Sequence, residues 1–438
     1  MNPRKLSFIL IALVLFLFGN GFQVSAASTA SKLNASCTWS INSETASPYL
    51  SDDSILTSFM FAQGMALHVS CDRSIAYVYV LFDRAPSLYT VTTSHGTQNA
   101  GIFGFLHELI TLEKTSTEVI LNLNPGRVAS IFFYGEGTLP SDVQVWKTPA
   151  NDADLLVLAA HSDDEALYFG PAIVKSIAAG KTVQVAYLTQ HFASRRRPHE
   201  TLDSLWVLGV RNYPIFGLWP DRQATTIEQG YALFPKDDVT AYEVGLIRRF
   251  KPEVILSHDF AGEYGHGAHM VLSDVLKQAI LLSGDEKAYA QSAVVYGTFT
   301  PSKVYIHLYA VNPILLDVYT PIPSYNNKSP LQVARDAYEK HVSQHIWPLQ
   351  VIDYTVGDVR KFGLYYTSVG LDTSNDLFQH ILIKPEIKPR PDYDPHPDPT
   401  PSDQKNQSAE LFKIVLGSCI LLALLIGLIT LFIQRRRQ

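Results

Sequence analysis

LLVLAAHSDDEALYFG, residues 155–170, carries an apolar run straight into His161, Ser162, Asp163, Asp164 and Glu165. An unbroken apolar run of this kind is the pattern of a parallel strand buried on both faces. It stops at one histidine and three carboxylates, which repel one another unless something holds them. A bound cation, a helix N-terminus or bulk solvent could each do so. Further along, residues 166–179 read as a helix closed by Gly180, and KTVQVAYLT (181–189) reads as a second strand. Residues 198–208 suit a second helix, PEVILSHD (252–259) a later strand, and residues 268–282 another helix. Strand and helix alternate, so residues 151–383 are expected to form an α/β domain, a Rossmann-like, doubly wound and mostly parallel sheet. Its last segments, YIHLYA (305–310) and FGLYYTSVG (362–370), look like added strands.

Sites in open α/β sheets form beyond the carboxyl ends of the strands. His161 ends the first strand and His258-Asp259 a later one, and EYGHGAH follows with His266 and His269 three residues apart. That spacing can turn both imidazoles to one side at a helix start. A borderline divalent ion such as zinc takes imidazole nitrogen and carboxylate oxygen, and a catalytic site keeps one position open. Ser162 or Asp163 would also cap a helix. A cap alone does not account for a second histidine pair at another strand end of the same sheet.

These residues carry a resemblance. Ala160-His161-Ser162-Asp163-Asp164-Glu165, followed by His266-Gly267-Ala268-His269, resembles the AHPDDE and HxxH signature of the PIG-L/LmbE-type family of zinc-dependent N-acetylglucosaminyl deacetylases. Arg197-Pro198-His199-Glu200 with Leu208-Gly209-Val210 is similar to that family's RxxE and LGV helix. The resemblance covers roughly residues 154–383. Two positions depart from it: Ser162 stands for the usual proline, and HGAH for the common HPDH. By this likeness His161, Asp164 and His269 would hold one divalent metal, Zn²⁺. Asp163 would be the general base toward the attacking water. His266, in its protonated form, would steady the oxyanion or protonate the leaving amine. Arg197 and Asp221 would contact the substrate. Trp219 is a candidate for stacking on a sugar. His341 and His345 match a late family segment and read as structural histidines, Glu165 as a residue supporting the ligands, and His191 and His199 as surface histidines.

Residues 27–150 differ in rhythm. IAYVYVLFD (75–83), TEVILNLN (117–124), ASIFFYGEG (129–137) and DVQVWKTP (142–149) are short β-branched and aromatic runs between polar turns. They are expected to form an all-β sandwich resembling a carbohydrate-binding jelly roll. Residues 1–26, with Arg4 and Lys5 before an apolar core, read as a secretory signal peptide. The proline-rich stretch 384–410 reads as an extended linker. Residues 411–434 read as a single C-terminal transmembrane helix, and the basic residues 435–438 as a cytoplasmic tail. The expected location is therefore the cell membrane, single-pass, with the catalytic domain extracellular. Cys37 and Cys71 would lie outside the cell and could pair.

A composition 47% hydrophobic and 17% charged, with a net charge of −6 and no basic block beyond the tail, argues against a nucleic-acid partner. No glycine-rich phosphate loop follows the first strand, so no nucleotide cofactor is expected. The function expected is a surface-anchored hydrolase removing acetyl from an N-acetylglucosamine-type amino sugar in a glycan or glycoconjugate. A catalytically inactive glycan-binding surface protein is the alternative.

Overall fold

The computed structural model describes residues 28–382. Fourteen strands and eight α-helices are assigned among them. The first eight strands are β1 (Cys37–Ile41), β2 (Glu44–Thr45), β3 (Phe59–Phe61), β4 (Leu67–Phe82), β5 (Tyr89–Thr93), β6 (Gly96–Ala100), β7 (His107–Asn122) and β8 (Gly126–Tyr134). They are hydrogen-bonded into one antiparallel sheet in the order β2-β1-β4-β7-β5-β6, with β8 pairing both β4 and β3. Two separate stacked sheets were expected. Instead β4 and β7, 16 residues each, run through the whole assembly with register shifts between Ser70 and Tyr77. Such bulges bend a strand and sharpen its twist. Cys37 lies opposite Cys71 in the β1–β4 register and is disulfide-bonded to it. DVQVWKTP is not a strand: Val143 and Trp146 are buried by packing without joining a ladder.

The remaining strands are β9 (Leu155–Ala159), β10 (Val183–Tyr187), β11 (Val254–Ser257), β12 (Lys303–His307), β13 (Pro313–Leu315) and β14 (Lys361–Thr367). The helices are α1 (Asp164–Leu167), α2 (Gly170–Ala178), α3 (Arg196–Val207), α4 (Ile227–Leu233), α5 (Lys236–Phe250), α6 (Gly267–Leu282), α7 (Ala290–Tyr296) and α8 (Pro330–Tyr338). Sheet order is β10-β9-β11-β12-β14-β13. Every residue of β9, β10, β11 and β12 is buried. Alternate residues of β9 enter different cores. Leu155, Val157 and Ala159 pack with α2, α3 and α8, while Leu156 and Leu158 pack with α5 and α6. Gly170 lets α2 approach α8 closely, since a Cβ there would sit 2.7 Å from that of Ala334.

Two parts of the expected fold class are corrected. The α/β sheet is mixed: β10, β9, β11 and β12 are parallel, but β14 runs antiparallel to β12, and β13 antiparallel to β14. A strand buried on both faces shows the same apolar run whichever way it points, so direction leaves no mark in its composition. The transmembrane helix is also withdrawn. Among the described residues no helix is long and apolar enough to cross a membrane. The longest, α6, has 16 residues and packs on the sheet, short of the roughly 20 that a span needs. Residues 411–434 lie outside the described residues, as do the expected signal peptide, linker and tail.

Candidate metal centre

In the order β10-β9-β11-β12, the first two connections leave in opposite directions, which places a topological switch point between β9 and β11. A crevice opens at the carboxyl ends of such strands. At this edge the chain supplies a histidine from each parallel strand: His191 beyond β10, His161 beyond β9, His258 after β11 and His307 ending β12. All four are buried. After His161 the backbone turns sharply, and Asp163 takes a φ of 119°. This conformation is costly for a non-glycine residue and is found where function over-determines geometry. It lets Asp163 and Asp164, adjacent in the chain, serve different surroundings.

His161, Asp164 and His269 converge. His161 Nδ1 is 3.1 Å from His269 Nε2 and 3.3 Å from Asp164 Oδ2, and His269 Nε2 is 3.5 Å from Asp164 Oδ1. Donors roughly 2.0–2.1 Å from a tetrahedral ion stand about 3.3 Å apart, and the two imidazole nitrogens lie on that scale from each other and from the Asp164 carboxylate, which meets them through different oxygens. The protonation pattern fits as well. His269 Nδ1–H donates to Glu263 Oε2 at 2.6 Å, which leaves the Nε2 lone pair facing the other two donors. Glu263 Oε1 lies 2.9 Å from Nδ1 of both His258 and His307, so one buried carboxylate braces three imidazoles. The residues present therefore fit one divalent ion. His266 is a further imidazole with a donor atom in reach of those of His161 and His269.

Burial pushes Asp163 well above the usual carboxylate range, and its neighbour Asp164 pushes it further, against Arg197 and His341. Burial would raise Asp164 too, but His269 and His258 outweigh it and hold that carboxyl well below its ordinary value. His266 departs from the expected protonated state. Burial, then His161 and His269, push it down to about 3. Its Nδ1 accepts the Ala268 N–H at 3.3 Å, so the neutral ring carries its proton on Nε2.

The two expected substrate residues are joined to the same cluster. Arg197 Nη1 donates to Asp221 Oδ2 at 2.9 Å, and its Nη2 lies 3.6 Å from Asp163 Oδ1. Asp221 Oδ1 is 3.7 Å from His161 Nε2. Although burial opposes it, His191, His161 and Arg197 hold Asp221 well below the carboxylate range. His161, Asp163, Arg197, Asp221 and His266 line one cavity of 480 Å³, with the half-exposed aromatics Tyr264 and Trp347 also on its wall. Trp219 does not line it but packs edge-on against Tyr242.

His191 and His199 were expected at the surface and are buried instead. His191 Nε2 accepts the backbone N–H of Ser162 at 2.7 Å, while its Nδ1 stands 3.5 Å from Asp221. Proline, the residue expected at 162 by resemblance, has no such N–H to give. His341 is a structural partner: its Nε2 lies 2.6 Å from Glu165 Oε1, and Glu165 Oε2 accepts the Asp163 N–H at 2.9 Å. Glu165 thus stands behind Asp163 and outside the donor set. Glu263 and His307 were missed. A signal was available for His307 alone, which ends an apolar strand as His161 and His258 closely follow theirs.

Residues 156–280 match the profile of the PIG-L family, described as GlcNAc-PI de-N-acetylase. The chain carries a PIG-L family domain. This PIG-L domain contains His161, Asp163, Asp164, Arg197, Asp221, Glu263, His266 and His269, whereas His307 and His341 lie beyond the matched residues. No curated protein matches the chain. Among solved structures, it is similar to N,N'-diacetylchitobiose deacetylase from Pyrococcus horikoshii, with 18% identity and a TM-score of 0.36 over 44% of this chain and 71% of that one. It is similar to GalB, the 4-carboxy-2-hydroxymuconate hydratase of Pseudomonas putida KT2440, with 16% identity and a TM-score of 0.32 over 52% and 100%. The zinc-inhibited form of teicoplanin deacetylase Orf2 shows 16% identity and a TM-score of 0.31 over 47% and 88%.

Proposed function

We propose that this protein is a zinc-dependent hydrolase that removes the acetyl group from an N-acetylglucosamine-type amino sugar. One observation carries the reading. Inside a PIG-L domain, two imidazoles and a carboxylate stand 3.1–3.5 Å apart beside a second carboxylate pushed to high pKa, all at one cavity. His161, Asp164 and His269 would hold the ion, which when bound supplies Lewis acidity to the amide carbonyl and to water. Asp163 takes a proton from the attacking water, and burial, which raises its affinity for that proton, strengthens it as a base. Oxygen adds to the amide carbon, and neutral His266 offers its Nε2–H to the charge that develops on the carbonyl oxygen. The C–N bond then breaks, and Asp163 returns the proton to the leaving amine, giving acetate and a free amino sugar. Arg197, braced by Asp221, faces sugar hydroxyls, and Tyr264 and Trp347 offer apolar ring faces to the pyranose. The Cys37–Cys71 disulfide supports a location outside the cytoplasm, where such bonds persist.

The test is mass-resolved loss of one acetyl group, with matching acetate release, across a panel of N-acetylated amino sugars and oligomers. Activity on at least one member is expected, and chelation should abolish it. Release that survives complete chelation, or none from any member, would refute the reading.

A further inference from the structure

A second cavity, of 640 Å³, lies where the antiparallel sheet meets the PIG-L domain. The chain contributes Asp83 just beyond β4, Arg84 beside it, Arg127 near the start of β8, and Phe192 with Arg195 from the loop that leads into α3. The Asp83 side chain is only 4% exposed, and both of its carboxylate oxygens accept no hydrogen bond. Its ion-pair partner, Arg195 Nε, stands 3.5 Å away. A buried carboxylate without donors is costly, and such a group calls for an explanation. The three guanidiniums are only partly engaged. Arg84 Nη2 donates to the Phe192 carbonyl at 2.7 Å, and Arg127 and Arg195 each reach Ser58 Oγ, at 3.4 and 3.2 Å. Each guanidinium carries five N–H donors, so most remain free for a ligand. Three cations against one anion leave the cavity positive. Tyr89 and Phe192 add apolar ring surface.

We propose that this cavity binds an acidic sugar. Arginine forks match a planar carboxylate, Asp83 accepts from vicinal hydroxyls, and the rings meet the C–H face. The choice of a saccharide rests on the deacetylase reading above; the preference for a carboxylate rests on the charges of the cavity itself. Arg195 lines this cavity and Arg197 the metal cavity, two residues apart where α3 begins. The substrate proposed is a heteropolymer that carries acidic residues as well as N-acetylated ones.

Calorimetric titration of the full chain tests this, using a hexasaccharide of alternating glucuronic acid and N-acetylglucosamine against the neutral N-acetylglucosamine hexamer. The acidic hexamer is expected to bind at least about tenfold more tightly, and Asp83→Ala and Arg127→Ala should each weaken it by about tenfold, the scale of one charge-assisted hydrogen bond. Acetate release from monomeric N-acetylglucosamine should stay unchanged in both variants. Should Asp83→Ala fail to fold, the isosteric Asp83→Asn and Arg127→Ala decide. Equal affinity for the two hexamers, or an acidic preference that survives in folded variants, overturns the cavity proposal even if acetate is released. An acidic preference lost in the variants upholds the cavity even if no substrate is deacetylated, in which case the hydrolase reading fails alone.

Discussion

Asp163 and Asp164 are neighbours in the chain with opposite electrostatic surroundings, and the proposed chemistry depends on that difference. Asp164 is held ionised among imidazoles, as the proposed ligand role requires, while burial raises the proton affinity of Asp163. Asp163→Asn should therefore retain about one metal equivalent yet lose turnover by ~10²–10⁴-fold, the usual worth of general-base catalysis. Full activity in that variant would reassign the base. Glu263 acts one layer out, through the ring of His269. Glu263→Gln puts an amide where three imidazoles need an acceptor and should cut metal affinity by roughly 10–100-fold in competition with a chelating dye. An unchanged affinity would mean that Glu263 only fills space. The sequence pointed to His161, Asp163, Asp164, His266 and His269 through their resemblance to a family signature, and the structure brings them to one edge of the sheet. Glu263 lay within the quoted EYGHGAH, yet its partners His258 and His307 come from other strands, and no local pattern announces a carboxylate shared through space. The protonated state expected of His266 failed for a similar reason, since burial among other imidazoles cannot be read along the chain.

Elements bring a second group of histidines together. β7 opens at His107, whose Nε2 lies 2.7 Å from His199 Nδ1 on α3, the helix that also carries Arg197. Burial pushes His199 down to about 4, and burial together with His199 holds His107 well below its ordinary value. Both rings are neutral at pH 7, and unfolding restores their affinity for protons. The folded state is thus destabilised as pH falls from 6.5 toward 4, by on the order of 3 kcal/mol for His199. Nearby Asp203, raised by burial to about 6, acts with the opposite sign. His199→Gln is expected to flatten the acid loss of stability relative to the parent in urea melts at pH 7 and pH 4.5. Parallel curves for the two proteins would show that the pair does not sense pH. At this scale the apolar strands and α6 were readable from pattern. The expected helix over residues 166–179 instead breaks between α1 and α2, and DVQVWKTP buries Val143 and Trp146 as a loop. Burial and strand pairing leave the same residues in a sequence, so DVQVWKTP gave no warning.

Across the described molecule, one apolar core runs from Val78 and Phe133 of the antiparallel sheet through Phe105, Trp146 and Tyr213 to β9 and α2. Phe105 stacks on Tyr213 at 4.5 Å, and the Tyr213 hydroxyl accepts the Leu106 N–H at 3.0 Å. The Cys37–Cys71 bond closes a chain separation of 34 residues. Replacing both cysteines by serine should lower unfolding stability by ~2–4 kcal/mol, and reductant should then have no further effect on the denaturant midpoint. A midpoint equal to that of the parent would show that the bond contributes nothing. The α/β class was legible from the alternation of buried strands and helices, whereas the antiparallel placement of β13 and β14 was not, because pairing direction is set by connections rather than composition.

The most direct measurement is acetate release by chelator-treated protein as zinc is added back in sub-stoichiometric steps. Activity on an N-acetylated amino sugar should rise linearly and level off at about one equivalent, and protein carrying His269→Ala should stay at background throughout. Activity already present without metal, or full restoration in His269→Ala, would contradict the assignment of this cluster as the catalytic metal centre.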